Sequence, residues 1–119
     1  EHLVPLSTQT VSLLARLREL SGQYKHLFPA PSKEGVMSQN TMIFAMYRMG
    51  YRSRATVHGF RRTASTVLNE NGWNRDWIEK QLAHDAADEI RGAYNATGYM
   101  NGRREMPQWW ANKLTAYGA

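Results

Sequence analysis

Cysteine is absent from the 119 residues of this chain. Its absence excludes disulfide bonds, thiolate catalysis and most structural zinc sites, and it fits a reducing compartment. Long apolar runs are also missing, since none approaches the roughly 18 residues that a membrane-spanning helix needs. We also expect no signal peptide. We therefore expect a soluble protein of the cytoplasm.

Acidic residues are fewer than basic ones, with ten Asp and Glu against 15 Lys and Arg. The formal net charge is +5 and the sequence pI is about 9.8. This balance favours a polyanionic partner such as nucleic acid, although a basic soluble domain without that partner would show the same charge. A chain of this length can bury one core, so we expect one domain or part of one.

Capping residues and apolar spacing predict a mainly α-helical bundle with remnants of a small β-sheet. The predicted helices are capped by or begin at Ser7, Ser38, Thr56, Asn74, Asp85 and Asn101. Five of these helices are expected to end near Leu20, Gly50, Asn71, Tyr94 and Ala116. Residues 1–6 are predicted to be extended, with a partner strand upstream of this chain.

Apolar residues at helical spacing predict which side chains form the core. Met42, Met46 and Met49 recur on one helix, and we expect them to be core residues because Met fills irregular gaps. Other expected core residues are Ala45, Phe60, Ala64, Val67, Leu68, Trp77, Ile78 and Leu82.

The run Thr56-Val-His-Gly-Phe-Arg-Arg62 places two anion-binding side chains at the start of a helix. Residues three apart share a helix face, so His58 and Arg61 point the same way. A helix N-terminus attracts anions, and Gly59 leaves room for a close approach. The guanidinium can grip two phosphate oxygens while the imidazole donates one more hydrogen bond. The same spacing also occurs by chance in many helices.

Arginines are concentrated around this motif. Residues 48–62 contain five arginines and no Asp or Glu, whereas acidic residues cluster from Glu70 to Glu89. Such segregation indicates a basic face for a nucleic-acid backbone, and the alternative is a solvated arginine-rich turn. The five arginines are Arg48, Arg52, Arg54, Arg61 and Arg62.

Tyr94 is the candidate nucleophile. A phenol of pKa about 10 is almost wholly protonated at neutral pH, so it must be activated in place. Its attack on a phosphodiester would build negative charge that Arg61 and His84 could stabilise, with His58 as a further hydrogen-bonding group. The two histidines lie far apart in the sequence and outside any metal-ligand motif, so we expect no metal and no cofactor.

The order His-x-x-Arg, then His, then Tyr resembles the tyrosine recombinase or phage integrase family. The phrases His58-Gly-Phe-Arg-Arg-Thr-Ala and Ile78-Glu-Lys-Gln-Leu-Ala-His84, and Ala93-Tyr-Asn95 followed by Gly102-Arg-Arg-Glu-Met106, resemble its prophage and pathogenicity-island branch. The resemblance implies the C-terminal portion of the DNA breaking-rejoining catalytic fold. It implies that His58, Arg61, His84 and Tyr94 are catalytic, with Tyr99 as a rival nucleophile. Arg52, Arg54, Arg62 and Arg91 would bind the DNA backbone.

The function implied by the resemblance is site-specific integration and excision of prophage or genomic-island DNA through a covalent 3′-phosphotyrosyl intermediate. The implied partners are double-stranded attachment sites, three further subunits in a homotetramer and an excision accessory protein, at the nucleoid of a bacterial cytoplasm. A noncatalytic DNA-binding module and a helical protein-interaction domain are the alternatives. Type IB topoisomerases share the chemistry.

The sequence also departs from the family pattern. An earlier arginine, a general-acid lysine on a β-hairpin and an N-terminal DNA-binding domain would all lie upstream of Glu1, so we expect residues 1–119 alone to cleave poorly. Pro107 stands where a helix former is more usual, and we expect the last helix to kink or begin there. Trp109 and Trp110 with Met106 would form an apolar surface, packed either within the chain or on a neighbouring subunit.

Overall fold

The computed structural model describes residues 2–83 and 100–118, with the backbone alone at residue 101, and these residues are mainly helical. The helices are α1 (Thr8–Ser21), α2 (Thr41–Arg48), α3 (Val57–Glu70), α4 (Arg75–Gln81) and α5 (Met100–Ala116). Within the described ranges, extended pairing is limited to one antiparallel bridge between Pro29 and Val36. The prediction of a mainly helical fold is confirmed.

The chain forms two compact units. Unit 1 comprises Glu1–Thr10 and Arg62–Ala119, and unit 2 comprises Val11–Arg61. The divisions fall inside α1 and α3, so each of these helices contributes residues to both units.

Three of the predicted helix caps are confirmed. The Ser7 hydroxyl accepts a hydrogen bond from the Thr10 amide at 3.2 Å, and the Thr56 hydroxyl accepts one from the Gly59 amide at 2.9 Å. The Asn74 side chain accepts one from the Asp76 amide at 2.8 Å. Each bond gives a side-chain acceptor to a backbone amide in the first turn of a helix.

The predicted cap of α2 is wrong. The Ser38 carbonyl accepts a hydrogen bond from the Thr41 amide at 3.1 Å, which closes a backbone turn ahead of the helix. The Ser38 hydroxyl instead lies 3.1 Å from the Thr41 hydroxyl. Asn40 is the N-cap residue, and its side chain makes no capping bond. The helix therefore begins three residues after the predicted cap.

Glycines end α2 and α3 as their positions predict. Gly72 has φ +76°, and its amide donates to the Asn69 carbonyl while the Trp73 amide donates to the Leu68 carbonyl. This pair of bonds is the Schellman ending, which requires a left-handed residue that glycine adopts without a steric penalty. Gly50, at φ +86°, ends α2 in the same way.

Unit 1 holds the main apolar core. Leu68 from α3, Ile78 from α4 and Met106 from α5 are buried together. Partly buried side chains surround this core, namely Trp73, Trp77, Leu82, Trp109 and Trp110. The inward orientation predicted for α4 is confirmed, and α5 packs within its own chain through Met106.

Helices α4 and α5 approach each other closely at Gly102. A Cβ atom built on Gly102 would lie 2.0 Å from Cη2 of Trp77, so the indole occupies the space of the missing side chain. Helix α5 runs through Pro107 without ending, so the alternative that the helix begins there is wrong. The absent N–H of proline removes one bond of a helix that is held by its packing.

The N-terminal segment of unit 1 is bound by side chains. The Leu3 carbonyl accepts from Arg103 at 2.8 Å, and the Pro5 carbonyl accepts from Gln81 at 3.3 Å. Gln108 of α5 accepts from the Thr8 amide at 2.9 Å. These contacts attach residues 3–8 to α4 and α5.

Unit 2 buries few apolar side chains, which corrects part of the predicted core. Met46 is 6% exposed, as predicted, but Met42 is 52% and Met49 is 65% exposed. Phe60, also expected in the core, is 61% exposed. Small units enclose a small fraction of their surface, and here Met46 is the one buried methionine of the three.

Candidate active site

The first two turns of α3 carry His58 and Arg61, as the sequence predicts. His58 is exposed and Arg61 is partly exposed. The spacing of three residues places them on one side of the helix. The Thr56 cap holds the backbone of this turn in place, and that backbone sets the positions of the His58 and Arg61 Cα atoms.

Gly59 has a local role that the sequence did not reveal. A Cβ atom at this position would lie 3.0 Å from the Thr56 hydroxyl oxygen, the same atom that accepts the capping bond. A side chain at residue 59 would therefore press on the cap of the helix. The glycine keeps the turn that carries His58 intact.

An arginine-rich turn in unit 2 precedes α3. The Tyr51 carbonyl accepts from the amides of Arg54 and Ala55 at 3.0 and 3.2 Å, and Ser53 has φ +62°. The guanidinium of Arg52 lies 5.4 Å from the centroid of the Tyr47 ring, within the range of a cation–π contact.

The side chains of this turn are open to solvent. Arg48, Arg52 and Arg54 are all exposed, as is Arg62 on α3. An exposed cationic surface suits a polyanion because its phosphates can reach the guanidinium groups without unfolding the turn.

His84, Arg91, Tyr94 and Tyr99 lie outside the described residues, as does the predicted capping pair Asp85 and Asp88. Of the predicted catalytic residues, the structure therefore describes His58 and Arg61, which lie on one side of α3. Helix α4 ends at Gln81, three residues before His84, and Ala83 adopts φ +50° with its amide donating to the Lys80 carbonyl.

Sequence reasoning missed Arg103. It occurs in the charged run Arg103-Arg104-Glu105, which is typical of a solvated helix face, yet Arg103 is 3% exposed. Arg103 precedes Met106 by three residues and Trp110 by seven, so it lies on the apolar side of α5. That spacing is the signal that could have identified it as a buried residue.

A cavity of about 520 Å³ lies elsewhere in unit 2. Its lining includes Tyr24, Lys25, His26 and the turn from Pro29 to Gly35. Neither His58 nor Arg61 lines it.

Among residues 2–83 and 100–118, no three His, Cys, Asp or Glu side chains cluster in a way that could hold a metal ion. Nor does any helix in these ranges have the length and apolar character to cross a membrane.

Comparison with known proteins gives a consistent set of relatives. The chain is 44% identical over 119 residues to the integrase of Enterobacteria phage P4, covering 96% of this chain and 27% of that protein. It is 44% identical over 114 residues to prophage integrase IntZ of Escherichia coli K12, covering 95% of this chain and 28% of that protein. It is 38% identical over 115 residues to prophage integrase IntS of the same strain, covering 95% of this chain and 30% of that protein.

The chain thus spans less than a third of the length of these relatives. No solved structure matches it. The phage integrase family model matches residues 1–99, which include the His58–Arg61 turn and the positions of His84 and Tyr94. On this match and on the identities above, the chain belongs to the phage integrase family.

Proposed function

We propose that the intact protein containing this chain is a tyrosine site-specific recombinase that integrates and excises prophage or genomic-island DNA. The observation that carries the proposal is the capped α3 turn with His58 and Arg61, in a chain of the phage integrase family. Its relatives are named as integrases of phages and prophages, which supports the same substrate class.

In the proposed reaction, the Tyr94 oxygen attacks the phosphorus of a DNA phosphodiester. A phosphotyrosyl bond to the 3′ side forms as the bond to the 5′ oxygen breaks. The phenol gives up one proton and the 5′ oxygen takes one up, so the 5′ oxygen leaves as a hydroxyl. Arg61 and His84 stabilise the charge on the non-bridging oxygens, and His58 hydrogen-bonds or transfers a proton. Because the ester conserves the bond energy, a second 5′ hydroxyl can reverse the step without ATP or a metal.

The exposed arginines would bind the DNA backbone around the cleaved phosphate. Arg52, Arg54 and Arg62 are open to solvent, and Arg91 is assigned the same role from the family resemblance. Such contacts position DNA without reading its sequence. The proposed partners are double-stranded attachment sites, a homotetramer on DNA and an excision accessory protein, at the nucleoid of a bacterial cytoplasm.

Covalent trapping on a nicked suicide DNA substrate tests the proposal. The intact protein should form a protein–DNA adduct, Tyr94→Phe should abolish it, and Tyr99→Phe should leave it in place. Each substitution removes only the phenolic hydroxyl group and keeps the ring, so the two variants are matched. Loss of the adduct in Tyr99→Phe alone would reassign the nucleophile. DNA binding with no adduct in wild type would favour the noncatalytic DNA-binding module.

We also propose that residues 1–119 alone cleave DNA poorly. The family resemblance implies an earlier arginine and a hairpin lysine, and it assigns neither of them to a residue of this chain. The same suicide substrate, offered to residues 1–119 and to the intact protein at equal concentration, should trap the intact protein far faster. Equal rates for the two proteins would overturn this proposal.

A further inference from the structure

Arg103 joins three segments of unit 1. Its guanidinium extends from α5 and donates to the Leu3 carbonyl at 2.8 Å and to the Gln81 side-chain oxygen at 3.3 Å. The Gln81 side-chain nitrogen in turn donates to the Pro5 carbonyl at 3.3 Å. The end of α4, the start of α5 and the N-terminal segment therefore share one hydrogen-bond network.

Burying the Arg103 guanidinium between two helices costs free energy. Burial lowers the pKa of the Arg103 guanidinium, because the charged form loses its water. Its Nε atom is buried and has no hydrogen-bond partner among the described residues. Apolar side chains of similar volume often stabilise such a position as well or better. What arginine adds is direction, since the planar guanidinium fixes the directions of the two N–H bonds of Nη2, which donates to both acceptors.

The two helices that Arg103 links flank, in the sequence, the segment that contains His84 and Tyr94. Gln81 is the last residue of α4, three residues before His84, and α5 begins six residues after Tyr94. Packing of Trp77 on Gly102 brings the same two helices together. Both ends of the intervening chain are thereby held at a fixed separation.

We propose that Arg103 is a positioning residue for DNA cleavage, acting through Gln81 on the chain that carries His84 and Tyr94. The network fixes the two helix ends that flank these residues in the sequence, and small displacements of reacting groups slow a reaction strongly. The proposal rests on the proposed function, because it assumes the roles of His84 and Tyr94.

The experiment measures single-turnover adduct formation by the intact protein at saturating suicide DNA, together with the Kd for the same DNA. Two variants remove the link: Arg103→Met, which keeps an unbranched apolar side chain, and Gln81→Met, which leaves the bond to Leu3 available. Gln81→Glu keeps the bond from Arg103, because its carboxylate still accepts, and loses only the bond to the Pro5 carbonyl, because a carboxylate cannot donate. Arg104→Met is the matched control, since Arg104 is the exposed neighbour on the same helix.

We expect both Met variants of the network to lower the first-order rate constant on the order of 10- to 100-fold. Gln81→Glu and Arg104→Met should remain near wild type, and the Kd of every variant should change by less than about twofold. A merely structural role would reduce the folded amount and hence the amplitude, but not the rate constant of the molecules that react.

A wild-type rate constant in Gln81→Met, or equal losses in Gln81→Glu and Gln81→Met, would overturn the positioning role. So would a rise in Kd that accounts for the slower reaction. If Arg103→Met fails to fold, the two Gln81 variants alone decide between these results. A wild-type protein that forms no Tyr94-dependent adduct would instead contradict the proposed function, so the two failures are distinguishable.

Discussion

At the residue scale, two consecutive helices end on left-handed residues of different chemistry. Gly72 follows α3 with φ +76°, and Ala83 follows α4 with φ +50°. The methyl group of alanine is crowded in this region, whereas glycine adopts it freely. The two positions therefore make opposite predictions for the same pair of amino acids.

Ala83→Gly should raise the free energy of unfolding of unit 1 by about 0.5 to 1 kcal/mol. Gly72→Ala should lower it by about 1 kcal/mol, because the backbone is left-handed although nothing lies within 4 Å of the added Cβ. Urea titration monitored by tryptophan fluorescence checks both changes, since all four tryptophans lie in unit 1. A loss of stability in Ala83→Gly would contradict the strain argument.

At Gly102 the constraint is the space available for a side chain, so a different outcome is expected there. Gly102→Ala should lower the free energy of unfolding by about 1 to 3 kcal/mol, since the added methyl overlaps the Trp77 ring. The usual gain in helix propensity from Gly to Ala opposes this loss and is smaller. Glu105→Ala, at an exposed position of the same helix, is the control for the urea titration. Equal stability of Gly102→Ala and wild type would mean that Trp77 packs elsewhere.

At the element scale, the start of α3 links a local hydrogen bond to the proposed chemistry. Thr56→Ala removes the acceptor of the Gly59 amide and should lower the free energy of unfolding by about 1 kcal/mol. Because His58 and Arg61 follow within two turns, adduct formation should slow as well. Thr56→Ser keeps the hydroxyl and should preserve both properties. Thermal unfolding and the suicide-substrate assay measure them, and a Thr56→Ala protein with wild-type cleavage would separate the cap from the site.

Helix ends were predictable from the sequence because capping is a local interaction. Ser7, Thr56 and Asn74 each bond an amide two or three residues further along the chain. Ser38 shows where this reasoning fails, because its neighbour Thr41 offers both a hydroxyl and an amide. The choice between a capped helix and a preceding turn depends on competing bonds of similar energy.

At the scale of the whole molecule, the net charge of +5 and the exposed arginines predict salt-dependent DNA binding. Arg52→Gln and Arg54→Gln should each weaken DNA binding and reduce the slope of log Kd against log salt concentration by about 0.9. Arg16→Gln, an exposed arginine of α1, removes the same charge elsewhere and should leave the slope unchanged. Fluorescence anisotropy at a series of salt concentrations measures the slopes. Equal slopes for all three variants would indicate a general charge effect.

The core was predictable where several helices converge on one set of side chains. Ile78, Leu68 and Trp77 were expected to face inward and do so around Met106. In unit 2 the same helical spacing predicted burial for Met42 and Met49, which are exposed. Periodicity identifies the apolar side of a helix, but burial also needs a neighbouring element that covers it.

The sequence by itself determined helices α1 to α5, three of their caps, the basic stretch around His58 and Arg61, and the family. These features depend on residues close together in the chain, or on motif spacing that can be read directly. Only the tertiary structure decided that Gly102 makes room for Trp77 and that Arg103 is buried against Leu3 and Gln81. These contacts join residues 22 to 100 positions apart, and their geometry follows from how the helices pack rather than from any local pattern.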